Sequence, residues 1–159
     1  MTSSVEMIDE VAAPQLNCES IEHRLITIRK SLERLEAAGP VGSERLADDP
    51  AAGLVIERIL ALLADVAGVI NSHVSTVVLG EVPQTPAASF GKVAAAGLIE
   101  PELANLLAPP AGLHHVQLQL CLDINPDRVR AIVTSALAGY NEYVRQVSRW
   151  TSERTCREL

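Results

Sequence analysis

Aromatic side chains are scarce in this chain: one Trp, one Phe and two Tyr among 159 residues. An interior must therefore be filled by Leu, Val, Ile and Ala, as is common in helical bundles. Cysteine is equally sparse. Cys18, Cys121 and Cys156 are odd in number and show no CxxC spacing, which argues against a disulfide framework and a zinc knuckle and favours a reducing cytoplasm. Positive charge is outweighed, leaving a formal net charge of −7. A nucleic-acid binder ordinarily neutralises phosphates with a basic face, so direct nucleic-acid binding is not expected. An acidic surface suits a basic protein partner better. The opening MTSSVEMIDEVAAP lacks the basic start and apolar core of a signal peptide. The apolar stretch from Ile59 to Val78 is interrupted by Asp65, Asn71, Ser72 and His73, so it reads as a core helix and not a membrane span.

What is present is helical periodicity. Residues 1–18 carry Glu6, Asp9 and Glu10, no basic residue and no sustained pattern; they are expected to form a flexible acidic tail. Ile21, Leu25, Ile28, Leu32 and Leu35 then step by four and three, with Ser20 as the candidate cap and Gly39-Pro40 as the stop. Arg29, Lys30, Glu33 and Arg34 fall opposite that stripe and read as a solvated face. Asp48, Asp49 and Pro50 open a longer helix, on which Leu54, Ile59, Leu62, Leu63, Val66, Ile70, Val74 and Val77 give a wide apolar face. That width implies more than one neighbour, within the bundle or across a homodimer. Asp65 and His73 lie eight apart, about two turns, and could share one side. Short helices follow over residues 87–96 and from Pro101 to Leu107. Asn125-Pro126-Asp127 is a strong start for the last helix, which carries Val129, Ile132, Val133, Leu137, Tyr140, Val144 and Val147 towards Trp150. Residues after Thr151 are expected to fray. Of Tyr140 and Tyr143, one is expected to face the core fully, and Trp150 is expected to close its end. The expectation is an all-α bundle of about five helices with an up-and-down core, spanning residues 19–152, and a C-terminal tail over residues 153–159.

The stretch AGLHHVQLQLCLDIN, Ala111 to Asn125, breaks this pattern. Val116 to Leu122 alternate as a strand would, yet no second run alternates, and a lone strand leaves its backbone groups unpaired. The stretch is therefore expected to be helical. His114, His115 and Cys121 are all metal-ligand types, but their spacing fits no compact metal motif; no metal and no cofactor is expected.

Several strings resemble the HEPN superfamily, and within it the HepT-like family. They are Glu57-Arg58 with Asp65 and His73 on the second helix, Phe90-Gly91-Lys92, Gly97-Leu98-Ile99 and Glu102-Leu103-Ala104. The frame around the stretch matches too: Ala111-Gly112-Leu113 before it, and Leu122-Asp123-Ile124-Asn125-Pro126-Asp127-Arg128-Val129 at its end. The resemblance covers roughly residues 20–150 and implies a HEPN-like helical bundle. Members of the family carry an Arg-Asn pair, a His four residues after the Asn, and a Tyr two residues later. That set implies a metal-independent ribonuclease, with the Tyr a site of nucleotide attachment by a partner nucleotidyltransferase. Here those four positions hold His114, His115, Gln119 and Cys121. Gln cannot exchange protons near neutral pH, and imidazole lacks the bidentate fork of Arg.

The motif thus reads as vestigial, with no catalytic residue. The expected function is that of a non-catalytic, cytoplasmic antitoxin, of the kind a MenA-type protein provides against a MenT nucleotidyltransferase toxin, neutralising its partner by direct contact. His114, His115, Gln117, Gln119, Cys121 and Asp123 are the candidate partner-binding residues. Two alternatives stand beside it: a HepT-like ribonuclease toxin with altered active-site residues, one His acting as base and the other as acid, and a homodimeric scaffold without activity.

Overall fold

The computed structural model describes residues 15–38, 50–108 and 126–155. Those residues form five α-helices and no strand: α1 (Cys18–Ala37), α2 (Pro50–Val74), α3 (Pro86–Ala95), α4 (Pro101–Leu107) and α5 (Pro126–Thr155). The all-α expectation is met. α1 packs against both α2 and α5, α3 covers another side of α2, and α4 lies between α3 and α5.

The local chemistry of each start explains the order. Pro stands in the first helical position of α3 and α4, where its missing N–H costs nothing and its fixed φ suits a helix. Thr85 caps α3 by accepting from the Ala88 amide at 3.0 Å. The cap of α1 differs from expectation. Asn17, not Ser20, sits at that position, and its Oδ1 accepts the Ser20 amide at 3.0 Å. Ser20 instead takes a hydrogen bond from Arg24. Asn17 is itself held from outside, because its own N–H donates to His73 Nε2 at 2.9 Å. The end of α2 is thereby tied to the start of α1.

α2 does not stop at Val74. It widens into a π turn, Ser75–Leu79, and ends at Gly80, whose φ of 67° is left-handed and favours glycine. Ser75 Oγ donates to the Glu81 carbonyl at 2.7 Å, fastening the exit. The first turn of α3 lies beside Gly68, where a Cβ would stand 3.4 Å from Pro86 Cβ, in ordinary van der Waals contact.

The core follows the periodic stripes. Ile21, Leu25, Ile28, Leu32 and Leu35 of α1 meet Ile56, Ile59, Leu63, Ala67, Ile70 and Val74 of α2 in one cluster, completed by Phe90, Val93, Val129, Tyr143 and Val147. Four members of the expected α2 face are not among its buried residues: Val66 and Val77 are half-buried, and Leu54 and Leu62 are exposed. The expected face was too wide, because burial on α2 is centred on Ile56, Leu63, Ala67 and Ile70, and the last two fall outside that arc. α5 continues as helix to Thr155, beyond the expected fraying point. No helix among the described residues is long and apolar enough to cross a membrane.

The Asn17 cap gives a direct test. Asn17→Ala is expected to lower unfolding stability by about 1 kcal/mol, the usual worth of such a cap, and Ser20→Ala by clearly less. Urea unfolding followed by circular dichroism measures both; equal losses would return the cap to Ser20.

Candidate functional site

The residues singled out for function, His114, His115, Gln117, Gln119, Cys121 and Asp123, all lie outside the described residues, as does the alternating run itself. The described structure supplies the frame on either side. The chain leaves it after α4, where Leu103, Ala104 and Leu107 are buried, and re-enters it at Pro126, with Val129 fully buried one turn into α5. α4 and α5 pack against each other, so the segment between them begins and ends on two anchored helices.

Asp65 and His73 are not brought together as a pair. Asp65 is exposed, whereas His73 is half-buried and accepts from Asn17. Among the described residues no three His, Cys, Asp or Glu side chains gather as a metal site would require. A shallow depression of about 450 Å³ lies at the start of α1, lined by Asn17, Glu19, Ser20, Glu22, His23 and Ile26. Its two carboxylates make it a poor seat for phosphate.

The polar chemistry that the fold does assemble is buried and directional. The Tyr143 hydroxyl, on α5, donates to Asn71 Oδ1 on α2 at 2.7 Å. The Asn71 amide donates onward to Ser89 Oγ on α3 at 3.1 Å, and Ser89 donates to the Pro86 carbonyl. The same Tyr143 hydroxyl has a second, longer contact with the Ala67 carbonyl at 3.4 Å, and all three side chains are fully buried. The sequence pattern passed over this chain, taking Asn71 for an interruption in an apolar run and Tyr143 for packing. A lone Asn in the middle of a buried helix was the available signal, since such a group requires partners.

Of the two tyrosines, Tyr143 alone is fully enclosed, as expected, with Tyr140 buried beside it at 7% exposed. Phe90 and Tyr140 each meet the Tyr143 ring edge-on, at 6.1 and 6.4 Å between centroids. Burial pushes the Tyr140 phenol well above its ordinary range, and the Asp65 carboxylate pushes it further. Burial raises Tyr143 as well, with Tyr140 adding to it. Trp150 closes the core as expected, with the Arg154 guanidinium 4.2 Å above its ring.

At the far end of α4, Gln146 of α5 accepts the Glu100 amide at 2.8 Å and donates to Glu142 at 2.9 Å. Arg145 first, and Gln146 second, hold the exposed Glu142 carboxyl at about 2. The contact satisfies the amide of Glu100, the N-cap residue of α4, which makes no side-chain cap bond of its own.

Two outcomes are expected from the buried chain. Asn71→Leu and Tyr143→Phe should each cost roughly 1–3 kcal/mol, the penalty for stranding a buried partner, and the double variant should cost less than their sum. Urea unfolding measures this, and strict additivity would mean the two groups do not depend on each other. Separately, the folded state favours neutral phenols, so the raised tyrosines stabilise fully below the unfolded value of about 10. Stability should fall as pH rises above that value, and Tyr140→Phe should flatten the fall. Urea midpoints that stay constant from pH 8 to pH 11 would contradict it.

No protein-family model matches the chain. Among curated proteins it is 28% identical over 130 residues to the tRNA nuclease HepT of Aphanizomenon flos-aquae (strain 2012/KM1/D3), covering 82% of this chain and 88% of that one. Among solved structures it superposes on a chain of a toxin-antitoxin complex with AMP-PNP, with TM-score 0.70 and 20% identity, over 83% of this chain and 99% of that one. A mutant of the toxin-antitoxin MntA-HpeT gives TM-score 0.69 and 21% identity, over 82% and 98%. The relative is a nuclease, and this overturns the expectation that the chain is not an enzyme. That expectation rested on four replaced side chains, all at positions outside the described residues. The chain is thus similar in sequence, over most of its length, to a HepT, and in fold to chains of toxin-antitoxin complexes, in line with the resemblance read from its sequence.

Proposed function

We propose that this chain is a ribonuclease toxin of a toxin-antitoxin pair, acting on tRNA with an altered set of active-site residues. One observation carries the reading: the likeness to a tRNA nuclease extends over 82% of this chain and 88% of the relative. The likeness in fold to chains of toxin-antitoxin complexes supports the pairing. The antitoxin role expected from the sequence gives way to this reading, because it rested on the loss of catalysis.

The chemistry needs little. In RNA the neighbouring 2′-hydroxyl can attack its own phosphodiester if one group removes its proton and another protonates the departing 5′-oxygen. That forms a cyclic phosphate and frees a 5′-hydroxyl end. His114 and His115 occupy the motif positions and are the residues assigned to these two transfers. Gln119 and Cys121 then contribute contacts to the RNA and not proton transfer.

Net charge does not forbid such a substrate. The sum of −7 averages over the surface, whereas phosphates respond to local cations. α1 exposes Arg29, Lys30 and Arg34 within two turns, and the neighbouring α5 exposes Arg145 and Arg149. The expectation of no nucleic-acid contact is accordingly set aside. The proposed partner remains a nucleotidyltransferase, and the proposed compartment the cytoplasm.

Purified protein incubated with bulk tRNA is expected to produce discrete fragments. Replacing His114 and His115 together by Ala should slow cleavage by about 100-fold or more, the ordinary worth of acid–base catalysis. Intact tRNA after prolonged incubation with excess protein would sink the reading, as would a doubly substituted variant that cleaves normally. Co-expression with a neighbouring nucleotidyltransferase should yield a complex that suppresses the cleavage.

A further inference from the structure

The cations of this acidic chain are not spread evenly. Residues 24–34 of α1 and 145–154 of α5 hold seven of its thirteen Lys and Arg but two of its twenty Asp and Glu. With Glu22, Glu36 and Glu142 at their edges counted in, the two stretches still carry a net charge of +2, which leaves −9 for the rest of the chain. The fold sets the two stretches side by side: α1 packs against α5, and Arg29 Nη2 donates to Ser148 Oγ at 3.3 Å. Those two residues are 119 positions apart, so packing alone makes one patch of them. Six of the seven cations are exposed.

Three of these side chains are already fixed in place. Arg29 is held in the seam between the helices by Ser148, Arg145 is forked onto Glu142, and Arg149 Nε donates to Glu153 at 3.2 Å. A guanidinium has five donors, so each of the three keeps N–H groups to give. Exposed pairs of this kind are weak, and a phosphate can share or displace the carboxylate. Lys30 and Arg34 also stand exposed on α1, and no ion pair among the described residues engages either. Taken alone, the α1 cations form a solvated face; beside those of α5 they form a surface whose like charges repel until an anion arrives.

We propose that this patch is a second anchoring point for the tRNA, binding backbone phosphates away from the bond that is cut. The inference rests on the ribonuclease reading for its choice of RNA and adds how a folded RNA is selected. The segment that holds the His pair joins the frame beyond Leu107, which packs against Gly139 of α5, and at Pro126, the first residue of α5. Ser148 lies nine and 22 residues further along that helix, about 14 and 33 Å at 1.5 Å per residue. The patch is thus set apart from both points of attachment. A nucleic-acid duplex presents one phosphate charge per roughly 1.7 Å of its axis, so a folded RNA supplies phosphates at that distance and a trinucleotide does not. Contacts to phosphate carry no base sequence; they select by shape and reach.

Binding of fluorescently labelled tRNA is measured on the full-length protein carrying His114→Ala and His115→Ala, and cleavage on the protein with both histidines. Lys30→Glu and Arg34→Glu together should weaken binding by at least about tenfold and lower the slope of log affinity against log salt by roughly two, one for each lost phosphate contact. Lys92→Glu, a charge reversal on α3 outside the patch, should change binding by less than about twofold. In cleavage, the Lys30 and Arg34 pair of substitutions should raise KM for tRNA at least about tenfold with kcat within about twofold. The preference for tRNA over a trinucleotide should fall with it. Circular dichroism should show every variant folded. Cleavage of tRNA with KM unmoved by the pair would overturn the proposal and leave the ribonuclease reading standing. A tRNA that binds through the patch and is never cut would uphold the patch and sink that reading. No binding of tRNA, or equal loss with Lys92→Glu, would overturn the proposal. So would a pair that binds tRNA normally but no longer captures a nucleotidyltransferase, which would assign the patch to that protein.

Discussion

A phenolic hydroxyl buried without exposure must have an acceptor, and for Tyr143 that acceptor is Asn71. Much of the bundle's registration depends on this bond. The hydroxyl has one proton to give, so Asn71 must present its oxygen to α5, which turns its amide nitrogen towards α3 and Ser89. One bond therefore sets the orientation of the next, and three helices are aligned by a chain with a single sense. Apolar packing alone would tolerate small slides between smooth Leu, Ile and Val surfaces; a directional chain does not. In a protein with so few aromatics, the same tyrosine is also the centre of the Phe90 and Tyr140 edge contacts.

That anchoring shapes what α2 can do. Its inner line is committed to α1, α3 and the Tyr143 chain, and its last turn is tied through His73 to the start of α1. A helix held on one side so firmly presents its other side as a rigid strip, the condition under which side chains can meet a partner without reordering. The segment between α4 and α5 that holds the His pair lies outside the described residues, and the two helices that flank it in sequence pack against each other. Likeness to a nuclease places interest on that segment, while the described fold explains how its ends are held.

Much of the fold was legible because its signals are local. Proline at Pro86, Pro101 and Pro126 marks helix starts through a lost donor and a fixed φ, and the stripe of α1 records a 3.6-residue repeat. The errors came where two local solutions compete. Ser20 and Asn17 are both good caps, and the choice was made by His73, 56 positions away. Leu54 and Leu62 are as apolar as Leu63, and only the direction from which neighbours arrive separates them. The candidate site residues lie outside the described residues, so the sequence alone places them; it was the likeness to a nuclease, not the described fold, that corrected the expectation of no enzyme.

The sequence by itself determined the helices, the proline-marked starts among them, the apolar stripes and the likeness to a family, because these depend on residues within a few turns of one another. Only the tertiary structure decided that Asn71 is a partner and not an interruption, that both tyrosines are buried, and that Leu54, Val55, Leu62 and Val69 of α2 face outward. Periodicity gives the angle at which a side chain leaves its helix. What that side chain meets is set by helices distant in sequence, whose approach no local pattern contains.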